Sequence, residues 1–173
     1  MRRAGAGLTL AAAAALAGAL LAPLPAVPPR VALADNATPL VSPFDVWDPA
    51  VGRLEPALLR AVQDAANAAA AQGITMTVNS GWRSPQFQQR LLDDAVSTYG
   101  SYAAARQFVQ TPEQSKHVVG AAVDIGGPDA AQWLGTHGAR FGLCQIYANE
   151  TWHFELAADA DGVCPPLLPD AAG

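Results

Sequence analysis

Ala121-Ala122-Val123-Asp124-Ile125-Gly126-Gly127-Pro128 is the stretch on which the reading of this chain turns. It is short, apolar and stopped by Gly-Gly-Pro, the pattern of a buried strand. Yet it contains a carboxylate, and an ionised Asp124 among apolar neighbours is unfavourable unless it is paired or bound to a cation. Downstream, 128–140 reads as a helix, and 145–147 and 152–156 as two further strands. Upstream, Leu58, Leu59, Val62, Ala65, Ala66 and Ala69 recur at three- and four-residue spacing before Gly73, which predicts a one-faced helix over 55–72. Residues 74–79 alternate and are β-branched, so they read as a strand. Ser84 then stands at an N-cap position with Pro85 in the first turn, and Phe87, Leu91, Leu92 and Ala95 supply the apolar stripe of a second helix. A short third helix is expected within 102–109, ended by Thr111-Pro112. The whole is an α+β pattern: a small antiparallel sheet with helices packed around it, in one domain and without internal repeats.

The chain has 173 residues, enough for one core, with 51% hydrophobic and 14% charged residues. Much of the apolar excess lies in residues 1–34, so the mean hydropathy of +0.15 misdescribes the rest. Met1, Arg2 and Arg3 precede an Ala/Leu-rich run from Leu8 to Ala22, and Ala32-Leu33-Ala34 precedes Asp35 as a small-x-small cleavage site. Residues 1–34 are therefore expected to be a signal peptide that exports the protein to the cell envelope or medium. Pro23, Pro25, Pro28 and Pro29 argue against the alternative, a retained membrane-spanning helix. Residues 35–44 read as an extended lead-in, 45–165 as the domain and 166–173 as a C-terminal tail.

Beyond the leader, seven basic residues face fifteen acidic ones, a net charge of −8, and Lys116 is the single lysine. Nucleic-acid binding, which needs clustered Lys and Arg, is excluded on that ground. In an oxidising compartment the two cysteines, Cys144 and Cys164, are most simply a disulfide.

Two of the three histidines stand in structured surroundings: His117 in Ser115-Lys116-His117-Val118-Val119-Gly120-Ala121-Ala122-Val123-Asp124, and His153 in Glu150-Thr151-Trp152-His153. Taken singly, each imidazole reads as a hydrogen-bonded structural residue, Asp124 as a turn cap, and Glu150 and Arg83 as surface charges. His137 has no partner motif and keeps that structural reading. Taken together, His117, Asp124 and His153 form a sufficient ligand set for a catalytic Zn2+ with one open position. Glu150, three residues before His153, is placed to exchange protons with water and a leaving amine, and Arg83 to stabilise a developing oxyanion. An iron oxygenase site of two histidines and a carboxylate is disfavoured by the ligand spacing and by the neighbouring Glu150.

Three motifs in this order, S-x-H-x-x-G-x-A-x-D at Ser115–Asp124, E-x-W-H at Glu150–His153 and S-G-[YW]-R-S at Ser80–Ser84, resemble the zinc D-alanyl-D-alanine carboxypeptidases and dipeptidases of the vancomycin-resistance type. Gln88 also matches a position that is commonly glutamine in that family. Thr151 stands where the family usually has proline, and the cysteine pair lies outside its motifs. The resemblance covers about residues 45–157. It implies a single zinc peptidase domain with His117, Asp124 and His153 as zinc ligands, Glu150 as general base and acid, Arg83 polarising the scissile carbonyl, and Ser115 and Gln88 beside the substrate. The implied partner is a peptidoglycan stem peptide met by a monomer that is free of the membrane once its leader is cleaved. Relatives with the same ligands cut other wall peptides, including L-Ala-D-Glu bonds. An endopeptidase of the same fold and a non-catalytic wall-binding protein therefore stand as alternatives.

Overall fold

The computed structural model describes residues 40–173, so the expected leader and residues 35–39 of the lead-in lie outside the described part. The elements are α1 (Pro49–Gly52), α2 (Pro56–Ala70), β1 (Thr77–Ser80), α3 (Pro85–Tyr99), α4 (Tyr102–Arg106), β2 (Ala122–Gly126), α5 (Pro128–His137), a 3-10 turn (Gly138–Phe141), β3 (Leu143–Gln145) and β4 (His153–Leu156). The strands form one antiparallel sheet in the order β1-β2-β4-β3. This is the expected α+β architecture. Among the described residues no helix is long and apolar enough to cross a membrane.

The helices start where their caps dictate. Ser84 Oγ accepts from Phe87 N at 3.1 Å to open α3, Ser101 Oγ accepts from Ala104 N at 3.2 Å to open α4, and proline occupies the first turn of α2, α3 and α5. The apolar stripe of α2 (Leu58, Val62, Ala65, Ala66, Ala69) packs into one core with Val78, Val123, Ile125, Leu134 and Phe154. Phe154 is wholly buried, so truncation to alanine would cost about 3–5 kcal/mol. A smaller cluster joins Leu92 and Ala95 of α3 to Ala105 of α4.

Several boundaries differ from the sequence reading; the helix expected over 128–140, for one, ends at His137 and gives way to the 3-10 turn. Strand β1 begins at Thr77 because Ile74 N still donates to Ala69 O, closing the turn that ends α2. The strand expected at 145–147 lies at Leu143–Gln145: Gly142, with φ of 80°, ends the 3-10 turn and releases the chain straight into the sheet. Tyr147 instead bridges in parallel to Leu168. The start of the domain, just after the lead-in, also holds an unexpected helical turn, α1, capped by Asp48, whose Oδ1 accepts from Ala50 N at 2.8 Å. Both ends of the described segment are tied down: Val41 bridges to Val78, Leu168 N donates to Ile146 O, and Ala171 N donates to Gln107 O.

The register of the sheet sets up everything that follows. Val123 pairs with Phe154 and Asp124 with His153 across β2 and β4. Alternation sends Val123 and Phe154 into the core and turns Asp124 and His153 to the opposite face, side by side. A bulge in β1 between Val78 and Ser80 brings Ser80 opposite Asp124, so Ser80, Asp124 and His153 form a row across three strands.

Candidate metal centre

The second imidazole, that of His117, reaches this row from a loop. Residues 115–120 fold into tight turns in which His117 O accepts from Gly120 N at 3.1 Å and from Arg83 N at 3.2 Å. Gly120 has φ of +73°, and a Cβ there would strike Arg53 O, so the glycine of the His117 motif is required for both conformation and close packing. Gly81 is likewise fitted against Ala50 O, while its own carbonyl accepts from His117 Nδ1 at 2.8 Å. That bond fixes the tautomer and leaves the Nε2 lone pair of His117 facing the sheet.

His117 Nε2, His153 Nδ1 and Asp124 Oδ1 stand at the corners of a nearly equilateral triangle, with sides of 3.3, 3.2 and 3.4 Å. Ligands about 2.0–2.1 Å from a tetrahedral zinc lie about 3.3–3.4 Å from one another, so the three atoms fit the ion without rearrangement. All three side chains are buried. The other nitrogen of His153, Nε2, donates to Glu155 Oε1 at 2.9 Å, completing a carboxylate–histidine pair behind the ligand.

Electrostatics agree with a cation at this point. Burial alone would raise the Asp124 carboxyl, but His117, His153 and Arg83 hold it well below the usual carboxylate range. Burial would lower His153, yet hydrogen bonds to Asp124 and Glu155, with the charge of Glu150, push it up to about 9. His117 is lowered, by burial first and by the Arg83 charge second. Carboxylates thus surround His153 with a field that favours positive charge, as a metal site must.

Glu150 sits in the turn before β4, which is closed by Glu150 N donating to Tyr147 O and His153 N donating to Glu150 O. Thr151 therefore lies in a hydrogen-bonded turn without the proline usual there. Glu150 Oε2 is 3.8 Å from His153 Nδ1, and Oε1 is buried without a hydrogen-bond partner among the described residues. Burial pushes this carboxyl up to about 7, the charges of Asp124 and Asp170 adding to the effect and those of His153 and Arg83 opposing it. Such a group can both accept and release a proton near neutrality.

Arg83 spans the other side. Its Nη2 donates to Asp124 Oδ2 at 2.6 Å, Nε to Ser80 Oγ at 2.7 Å and Nη1 to Gln88 Oε1 at 3.2 Å. Gln88 is 1% exposed and its Nε2 donates to Gln110 O at 2.9 Å, so both ends of the amide are engaged within the protein. The structure thus places Gln88 behind Arg83, holding the guanidinium. Ser115 is buried, two residues before His117. His137 lies apart, its Nδ1 donating to Trp133 O at 2.8 Å. Cys144 and Cys164 form a disulfide with a Cα–Cα distance of 5.6 Å.

Two contributors escaped the sequence reading. Glu155 was legible in principle, because residues i and i+2 of a strand share a face and His153 and Glu155 have that spacing. Tyr147 had no such signal: its ring centroid lies 5.1 Å from that of His153 across an irregular turn, and its hydroxyl accepts at 3.0 Å from Nε2 of Gln110, which lies far away in the chain.

Known proteins resemble this chain in sequence and fold. The family model described as VanY, D-alanyl-D-alanine carboxypeptidase, matches residues 52–159. A D-alanyl-D-alanine carboxypeptidase of Enterococcus faecalis is 31% identical over 118 residues, covering 54% of this chain and 44% of that protein, so the chain spans less than half of that relative's length. The structure resembles a zinc complex of a mutant of the vancomycin-resistance D,D-pentapeptidase VanY from a VanB-type cassette, with a TM-score of 0.58, 29% identity, and coverage of 64% of this chain and 80% of that one. It also resembles VanYB in complex with D-alanine-D-alanine, with a TM-score of 0.58, 26% identity, and coverage of 64% and 79%.

Proposed function

The chain belongs to the VanY family of D-alanyl-D-alanine carboxypeptidases, and from that premise we propose that it is an exported, zinc-dependent D,D-carboxypeptidase that removes the terminal D-alanine of peptidoglycan stem peptides. The observation that carries the reading is the triangle of His117 Nε2, Asp124 Oδ1 and His153 Nδ1, whose sides match the spacing of zinc ligands. Zinc held there supplies a Lewis acid that brings the pKa of water to about 7 and polarises a carbonyl.

The remaining chemistry belongs to the chain's own groups. Glu150, buried and with one oxygen unengaged, takes a proton from the attacking water as its oxygen bonds to the scissile carbonyl carbon. It then returns a proton to the nitrogen as the C–N bond breaks, so free D-alanine leaves as the amine. Arg83 holds Asp124 in place, and its fixed positive charge stabilises the oxyanion that develops beside it. Gln88 keeps the guanidinium from swinging out of line. Ser115, buried and two residues before His117, is assigned to the substrate side of the site.

Export rests on the leader at 1–34, and a wall substrate is consistent with it. The test is zinc content of the purified mature chain together with D-alanine release from a D-Ala-D-Ala-terminated peptide, with and without chelator. The reading requires about one zinc per chain and release that stops on chelation and returns with zinc. Mass analysis of digested wall peptides separates the endopeptidase alternative: loss of terminal D-alanine supports the proposal, and stems cut internally overturn it.

A further inference from the structure

Beside the metal centre lies a cavity of about 270 Å3, lined among others by Arg106, Gln110, Gln114, Tyr147, Leu168 and Ala172. Two routes join it to the chemistry. Tyr147 forms part of its wall and packs against His153, and Gln114 immediately precedes Ser115. Gln110 connects the two sites again: its carbonyl accepts from Gln88, and its amide donates to Tyr147 Oη and to Ala171 O.

Arg106, in the last turn of α4, provides the charge. Its Nη1 donates to Tyr102 Oη and its Nη2 to Gln114 Oε1, both neutral acceptors. Its Nε is buried without a hydrogen-bond partner, and among the described residues no carboxylate lies within salt-bridge distance of the guanidinium. Two neutral bonds fix the plane of the fork, and no Asp or Glu side chain among the described residues pairs with it. An oriented guanidinium lining a cavity is a carboxylate receptor, because planar N–H donors match carboxylate geometry and the charge strengthens each bond. The same cavity offers the amide nitrogen of Gln114 as a further donor and Leu168 and Ala172 as apolar lining, while Gln110, engaged with Tyr147 and Ala171, shapes the wall.

We propose that this cavity is a subsite that binds a carboxylate of the peptide substrate through Arg106. The inference rests on the peptidase reading for the identity of its ligand. Two carboxylates are of the right chemistry, the terminal one of the peptide and that of an acidic residue upstream of the scissile bond.

The test uses the zinc-loaded protein and a synthetic N-acetylated peptide ending in D-Ala-D-Ala with one internal glutamate. Two further peptides carry the terminal amide or glutamine in place of the glutamate. Binding is measured by calorimetry in the Glu150→Gln background, so that the peptides stay intact and the result does not depend on turnover. Arg106→Gln should weaken the unmodified peptide about tenfold, as expected for one charge-assisted contact. One of the two modified peptides should bind this variant and the Arg106-bearing protein alike, which identifies the carboxylate concerned. Arg106→Lys should recover part of the loss. Equal weakening of all three peptides, or of none, overturns the proposal. If Arg106→Gln fails to fold, Ala172→Trp fills the cavity from another of its lining positions. It should weaken binding of the same carboxylate-bearing peptides, and unchanged affinity overturns the subsite. Absence of D-alanine release from the protein that retains Glu150 would instead count against the carboxypeptidase reading, whatever the binding data show.

Discussion

Asp124 and His153 owe their separation to strand register, whereas His117, Arg83 and Glu150 owe theirs to turns stitched together by single hydrogen bonds. The first pair sits directly across β2 and β4, with Val123 and Phe154 anchoring the reverse face in the core. To move Asp124 relative to His153, the sheet must slip, and a slip of one residue would bury both in the core. The second group depends on Gly81 O, Gln88 Oε1 and the Tyr147–His153 turn. Loss of any one contact there re-aims one side chain and leaves the others in place. The metal site therefore has a rigid half, in which two of the three ligands are fixed by the sheet, and an adjustable half, in which turns aim the third ligand, His117, and the groups acting on substrate.

Substitution of the rigid half should be the most damaging. His153→Ala is expected to lose zinc and to drop D-alanine release to background, on the order of 10^4-fold or more, because ligand and proton-transfer geometry go together. Metal content by mass spectrometry beside a rate assay checks it, and a variant that kept both would break the proposed centre. On the adjustable half, Glu150→Gln should retain zinc while its rate falls by about 10^2–10^4-fold, the usual contribution of a positioned acid–base. If zinc were lost in that variant as well, Glu150 would belong with the ligands and the division into halves would be wrong.

The disulfide sharpens the contrast from outside the site. Cys144 lies on β3 and Cys164 in the segment after β4, and the loop between them spans 20 residues. Replacing both by serine should cost about 3 kcal/mol of stability on the chain-entropy account. That corresponds to a fall on the order of 10 °C in Tm for a domain of this size, read by calorimetry. Zinc affinity should stay unchanged, since neither cysteine touches a ligand. A large loss of affinity would show that the sheet alone does not hold the rigid half.

The two halves were unequally legible in the sequence. Residues whose roles follow from local pattern could be read: Asp124 as a charge inside an apolar run, Ser84 as a helix cap, and His117 and His153 as imidazoles in dense motifs. Pairing register could not be read, because it depends on where a strand starts against its neighbour. Thus β1 began three residues later than its alternation implied, and β3 two residues earlier. The motif position of Gln88 implies a place near the substrate, and nothing local to it shows its bond to Arg83. Its place behind Arg83 depends on Gln110 O, which lies 22 residues further along the chain. Tyr147 and the Arg106 cavity are assembled from α4, the loop before β4 and the C-terminal segment, so no window of sequence contains them.

Glu155 provides the mildest test, because it serves the rigid half without touching the ion. It accepts from His153 Nε2, and a negative acceptor there makes Nδ1 a stronger donor to a metal. Glu155→Gln preserves an acceptor oxygen and removes the charge, while Glu155→Ala removes both. Zinc affinity, measured by competition with a chromophoric chelator, should fall about 10-fold in the first and about 100-fold in the second. At saturating zinc the rate should return close to that of the unaltered protein, because Glu150 and Arg83 keep their own supports. A rate deficit that persisted at saturation would mean that Glu155 aims His153 during turnover as well as raising its basicity, and that the rigid half also has a part in aiming.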